Sequence, residues 1–472
     1  MQFHPEIKAP EDFLPREWQD KAFTKWEQYI NSDSPTMFLA AVCPAAGKTK
    51  WAIMVAVYAF KNDLIDRLVV VVPTSALKED WADELAAFGI QVDPDWRNAL
   101  RENYETADGE WHGLAVTYQA AINDTALHCA MCGSKRTMVI FDEVHHCGDN
   151  ALWGPRVREA FEPAVIKLGL SGTPFRRKGA IPWVEYDDDG VSKAHVSYSH
   201  GAAIEDGANI PVAFPSVDGL TEWSENGKTF SVWLSDDAAT LKQQSRRRNI
   251  AIDPNFGWIE RVIKDADEKI DACRQTGDPT AGLIIFAKDR PHARELERKY
   301  TEITGYSAVR VTGEMTDAKT RLDAFRNGSQ RCLVCVEMVS EGIDIPRLRA
   351  AIYATNKRED LGFNQKVGRV VRVNTELAPE VVQLAYFYIP DEPELIAKAE
   401  RIKEMRDHVL EEEEITCPPP DDDDDDTRDP PRLWEWDALG ATGEHSGLIY
   451  DGDRIRQQCY ARAQVMLQED QD

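Results

Sequence analysis

Apolar residues along the chain fall into short continuous runs, and between the runs stand stretches in which they recur every three or four positions. A continuous run suits a strand buried on both faces, and the intervening period is that of an amphipathic helix. Candidate strands lie at 37–42, 68–72, 113–117, 138–142 and 167–171, then again at 282–287, 308–312, 332–336, 350–354 and 384–389. The alternation predicts an α/β protein with two tandem domains, each a parallel sheet covered by helices.

The texture of the chain sets the expected boundaries. Residues 1–198 carry the first series of runs, and 199–255, broken by Gly, Pro and charge clusters, reads as a junction leading into the second domain at 256–410. Prolines and like charges dominate 411–432, which therefore cannot bury enough apolar area to offset chain entropy and reads as an acidic linker. Beyond it, 433–472 holds Trp434, Trp436, Leu448, Ile449 and Tyr450 and is expected to form a small C-terminal appendage. No short fixed repeat occurs, which excludes a solenoid.

Composition narrows the class. The 472 residues exceed what a single core usually organises. No run of eighteen apolar residues and no apolar signal core is present, so a cytoplasmic protein with no membrane partner is expected. Nine scattered cysteines suit reduced thiols rather than a disulfide framework. The net charge is −27, of which ten negative charges sit at 411–414 and 421–426. The acidic remainder excludes a broadly basic binder, so any polyanion must lie in a focused groove.

Two segments carry candidate chemistry. The run 37–42 leads into Cys43-Pro44-Ala45-Ala46-Gly47-Lys48-Thr49 and then a helical stretch. A strand, a tight loop and a helix start turn backbone N–H groups towards an anion, with Lys48 reaching phosphate and the Thr49 hydroxyl offered to Mg²⁺. The fuller glycine pattern is broken at two places, where Val42 and Ala45 stand. The second segment, Met138 to His146, ends an apolar strand in Asp142 and Glu143. Open α/β sheets bind ligands at the carboxyl ends of their strands, so Asp142 is a candidate Mg²⁺ ligand and Glu143 a candidate base for water.

Asp142-Glu143-Val144-His145 resembles the DExH box of superfamily 2 helicases, and further segments resemble that superfamily's motifs in the same order. Arg16-Glu17-Trp18-Gln19 is similar to the glutamine motif that reads adenine. Val72-Pro73-Thr74 and Thr117-Tyr118-Gln119 resemble motifs along the nucleic-acid track, and Ser171-Gly172-Thr173-Pro174 resembles the motif coupling hydrolysis to strand movement. In the second domain, 283–287 resembles motif IV. Ser340-Glu341-Gly342-Ile343-Asp344-Ile345-Pro346 resembles motif V, and Gln365 to Arg372 fits motif VI. The wording is most similar to the branch of type III restriction helicase subunits and DNA repair and phage helicases, which favours DNA over RNA. Two RecA-like domains are implied, with ATP and Mg²⁺ as cofactors and a nuclease or other protein as a possible partner. The resemblance makes Lys48, Asp142, Glu143, Arg369 and Arg372 catalytic. It assigns nucleotide contacts to Gln19, Ala46, Gly47, Thr49, Gly342, Asp344 and Gln365.

The spacing of Gln365, Arg369 and Arg372 predicts one helical face presenting three donors to phosphate. Other clusters stay open. Cys129 and Cys132 with His145, His146 and Cys147 could be read as a zinc set, although His145 belongs to the DExH resemblance; Cys332 and Cys335 would face opposite sides of a strand. The runs Arg176-Arg177-Lys178 and Arg246-Arg247-Arg248 read either as phosphate contacts or as solvated charge. An ATP-dependent DNA helicase or translocase is the expected function. A duplex translocase without strand separation, an RNA helicase and a non-catalytic nucleic-acid-binding module are the alternatives. Since every motif ends before Ile389, 411–472 are expected to be dispensable for catalysis.

Overall fold

A computed structural model describes residues 6–11, 13–33, 35–100, 111–148, 153–172, 180–186, 192–225, 227–336, 345–357, 360–404, 436–441 and 444–448. The chain divides into two compact units, the first running to Ala203 and the second beginning at Ile204. No helix among the described residues is long and apolar enough to cross a membrane.

The first unit is built on seven strands: β1 (Phe38–Val42), β2 (Arg67–Val72), β3 (Val92–Asp93), β4 (Gly113–Thr117), β5 (Thr137–Phe141), β6 (Ile166–Ser171) and β7 (Val196–Tyr198). They lie in the order β3-β4-β2-β5-β6-β1-β7, every neighbouring pair parallel. Crossovers put helices on both faces, which is why β1, β2 and β5 are buried along their whole length. The helices are α1 (Glu17–Ile30), α2 (Lys48–Lys61), α3 (Ser75–Ala86), α4 (Tyr118–Asn123), α5 (Thr125–Ser134) and α6 (Trp153–Phe161). In α1 the buried Trp18, Ala22 and Trp26 recur every four residues, the stripe a core-facing helix needs.

The chain passes from the first unit to the second within the short helix α7 (His200–Glu205). Its large sheet joins β8 (Val212–Ala213), β9 (Pro215–Asp218), β12 (Gly282–Ala287), β13 (Ala308–Val311), β14 (Cys332–Cys335), β15 (Leu348–Ala354), β16 (Ala385–Pro390) and β18 (Glu444–Leu448). The order is β13-β14-β12-β15-β16-β9-β18, with β8 also on β16. A second, three-stranded antiparallel sheet holds β10 (Leu220–Glu225), β11 (Lys228–Trp233) and β17 (Trp436–Ala441). The helices are α8 (Leu241–Ala251), α9 (Gly257–Gln275), α10 (Arg290–Thr304), α11 (Ala318–Arg326), α12 (Asp360–Val367) and α13 (Pro393–Glu404).

The stretch 199–255, expected as a junction, is largely folded into the second unit as β8 to β11 and α8. The expected appendage is joined to the same unit over 436–441 and 444–448, since β17 pairs with β10 and β18 with β9. Removing these strands leaves two sheet edges without partners, so the expectation that the whole segment can be cut away is revised for β17 and β18.

Arg246, Arg247 and Arg248 are a further correction. They are buried in α8 and serve neither as solvated charge nor as a phosphate track. Arg246 pairs with Glu225, Arg247 donates to the carbonyls of Trp233 (2.9 Å) and Asp236 (2.6 Å), and Arg248 grips Glu392 from its Nε at 2.9 Å. These bonds tie α8 to the small sheet and to the start of α13. Arg248→Ala is expected to cost about 3–5 kcal/mol, because Glu392, 2% exposed, would keep its charge without its partner. Urea denaturation checks this, and a loss below about 1 kcal/mol would contradict it.

Candidate functional site

Strands β5, β6 and β1 are consecutive neighbours, so the loops leaving their carboxyl ends converge. The loop after β1 turns sharply: Ala45 has φ 68° and Gly47 φ 93°, both left-handed. Glycine is required at 47, where a Cβ would lie 3.0 Å from Gln19 Nε2. Ala45 takes the same region with a side chain, at a cost of roughly 1–2 kcal/mol. Ala45→Gly is therefore expected to stabilise the loop by about 1 kcal/mol in chemical denaturation; destabilisation would show that the Ala45 methyl packs usefully.

The start of α1 clasps this loop. Gln19 Nε2 donates to the Gly47 carbonyl at 2.9 Å, and Trp18 Nε1 and an Arg16 guanidinium N–H each donate to the Ala46 carbonyl at 3.1 Å. The Arg16 backbone N–H donates in turn to Gln19 Oε1 at 2.8 Å, so the Gln19 amide is engaged at both ends. Trp18 stacks on Tyr198 with ring centroids 5.0 Å apart.

Lys48 and Thr49 open α2, with Gly47 as its N-cap. The Lys48 ammonium pairs with Glu143 and lies 3.4 Å from Asp142 Oδ1. Glu143 has φ 48°, a left-handed backbone that turns the chain directly after the strand. Its Oε2 accepts from the Gly172 N–H at 3.3 Å and lies 3.5 Å from His145 Nδ1. His145, buried, has Nδ1 2.8 Å from Ser171 Oγ at the end of β6. Asp142 is held from the other side: Trp81 Nε1 donates to its Oδ2 at 2.9 Å, and the Tyr118 hydroxyl donates to its carbonyl at 2.9 Å. Sequence reasoning missed Trp81, which shares a helical stripe with Leu77 and Leu85 and reads as a core residue.

Lys48, Asp142 and Glu143 are thus brought together, with Thr49 in the first turn of α2 and Gln19, Ala46 and Gly47 around the loop. The cradle suits a nucleotide with Mg²⁺: a cation and helix-start N–H groups for phosphate, a hydroxyl and a carboxylate for the metal.

In the second unit Gln365 lies on α12, but that helix ends at Val367. Arg369 and Arg372 therefore do not continue one helical face with it. Gly368 N–H still bonds back to the Asn364 carbonyl, after which Arg369 and Val370 tighten into bonds three residues back and Arg372 forms a bridge with Asn209. Lys366 and Arg369 bear on Cys335 at the end of β14: burial pushes that thiol up to about 12, and the two cations oppose the shift. Gly342, Asp344, Thr173, Pro174 and Arg176-Arg177-Lys178 lie outside the described residues. Cys129 and Cys132 lie on α5, and burial pushes the Cys132 thiol up to about 12. Among the described residues no group of three or more His, Cys, Asp or Glu side chains gathers as a metal site.

Residues 12–176 match the family described as "Type III restriction enzyme, res subunit", and 268–374 match the helicase conserved C-terminal domain. An uncharacterized protein of Mycobacterium tuberculosis is 35% identical over 93% of this chain and 72% of its own length. The chain belongs to the superfamily 2 helicases, in the restriction-helicase branch. The two units are accordingly tandem RecA-like domains. At greater distance, the DNA 3'-5' translocase XPB2 of Sulfurisphaera tokodaii is 22% identical over 64% of this chain and 69% of its own. The fold is shared with the ATP-dependent Type ISP restriction-modification enzyme LlaBIII bound to DNA, at TM-score 0.54 and 16% identity over 85% of this chain. This chain spans 30% of that enzyme. Membership in the superfamily implies use of ATP.

Proposed function

We propose that this helicase-family protein is an ATP-driven DNA translocase that separates strands as it steps, with catalysis carried by Lys48, Asp142, Glu143, Arg369 and Arg372. The observation that supports it most is the meeting of the Lys48 ammonium with both carboxylates at the ends of β1 and β5. Lys48 answers phosphate charge as it answers carboxylate charge here, and the N–H groups opening α2 add to it. Thr49 and Asp142 would hold Mg²⁺, which when bound neutralises charge on the phosphate oxygens. The Glu143 carboxylate orients the attacking water and accepts its proton. The resemblance of 365–372 to motif VI supports giving Arg369 and Arg372 the role of neutralising charge that develops on the phosphoryl group, and the same motif resemblances support nucleotide contact for Gln19, Gly342, Asp344 and Gln365.

DNA is preferred to RNA because the distant relative above is a DNA translocase and the fold recurs in a DNA-bound restriction enzyme. The acidic chain restricts contact to few phosphates, read as backbone rather than as sequence. Phosphate release measured side by side with single-stranded DNA, duplex, fork and RNA tests the reading. Stimulation by single strands and forks is the expected result; stimulation by duplex alone favours translocation without strand separation, and by RNA alone an RNA helicase.

A further inference from the structure

We infer that Trp81 and Tyr118 are positioning residues for Asp142, with Trp81 deciding which carboxylate oxygen is left for a divalent cation. The inference rests on the reading of Asp142 as the cation's carboxylate and extends it to residues that lie 61 and 24 positions away in the chain. Asp142 is buried, and its oxygens are not equivalent. Oδ2 accepts from the Trp81 indole N–H at 2.9 Å, whereas Oδ1 accepts from the Glu143 backbone N–H at 3.1 Å and lies 3.4 Å from the Lys48 ammonium. The Oδ1 edge therefore faces the loop after β1, and the indole holds the opposite edge back from it.

The backbone is fixed separately. The Asp142 N–H donates to the Val71 carbonyl at 2.9 Å, and the Asp142 carbonyl accepts from the buried Tyr118 hydroxyl. The sheet order β4-β2-β5 explains the convergence: Tyr118 opens α4 directly after β4, Trp81 stands two turns into α3 after β2, and Asp142 directly follows β5. A buried indole has a single donor, so aiming it at a carboxylate spends that donor on one carboxylate orientation. A Phe ring in its place fills much of the same space and leaves the carboxylate free to rotate about its χ2 bond.

The test uses the full chain with Trp81→Phe and Tyr118→Phe, and reads binding of a fluorescent ATP analogue in EDTA and across a Mg²⁺ titration, alongside phosphate release and thermal melting. Both variants are expected to bind the analogue in EDTA like the parent. Trp81→Phe should require about tenfold more Mg²⁺ for half-maximal tightening, a loss of the size of one charge-assisted hydrogen bond, and saturating Mg²⁺ should restore turnover. Tyr118→Phe should shift the Mg²⁺ requirement in the same direction by a smaller factor. Parent-like Mg²⁺ titrations in both variants overturn the inference, as does an equal loss of EDTA and Mg²⁺ binding with a lowered melting point, which marks packing alone. If Mg²⁺ does not tighten nucleotide binding in the parent itself, it is the reading of Asp142 that fails, which separates the two failures.

Discussion

Glu143→Gln is expected to bind ATP like the parent and to lose turnover by about 10²- to 10⁴-fold, the range contributed by a positioned general base. The amide is nearly isosteric and its oxygen can still accept from the Gly172 N–H, so the loop after β6 keeps its contact. What disappears is the carboxylate able to take a proton. Lys48→Ala should show the complementary defect, weaker nucleotide binding, because the ammonium now paired with Asp142 and Glu143 is the cation that phosphate would meet. Nucleotide titration and phosphate release separate the two; near-parent turnover in Glu143→Gln would remove Glu143 from the mechanism.

Arg369→Ala is expected to cost about 10³- to 10⁵-fold in turnover with little change in ATP affinity, as for an arginine that acts on developing phosphoryl charge. Arg369→Lys should recover little of it, since an ammonium lacks the planar fork of the guanidinium. Because Arg369 is buried in the turn after α12, a melting curve must accompany the assay. A properly folded Arg369→Lys protein that hydrolyses ATP like the parent contradicts the role.

Much of this architecture is legible along the chain because buried parallel strands are written as apolar runs. All ten candidate strands coincide with observed ones to within a residue or two. The two-residue β3 and three-residue β7 are too short to leave such a run. Nor could the chain announce β17 and β18, whose partners lie some two hundred positions away and whose pairing depends on edges created by the rest of the fold. The gathering of Lys48, Asp142 and Glu143 is foreseeable from strand-end placement alone. Other features hide behind side-chain type. Arg246 to Arg248 look like surface charge until Glu225 and Glu392 appear beside them, and Trp81 looks like plain core until its N–H finds Asp142. The end of α12 at Val367 escapes a spacing argument, because four-and-three spacing suits a helix whether or not the backbone continues past Gly368.

The measurement closest to the central claim is the ATPase rate against DNA concentration, paired with DNA affinity in the presence and absence of a non-hydrolysable ATP analogue. A motor that couples a strand to its nucleotide site must show slow turnover alone and faster turnover with DNA. By linkage, the analogue must change DNA affinity by the same factor by which DNA changes affinity for the analogue. The expected result is stimulation by DNA with matching factors and a modest salt dependence, as befits few phosphate contacts. Turnover indifferent to DNA and RNA alike, with no binding at low salt, would leave an ATPase without a track and contradict the account.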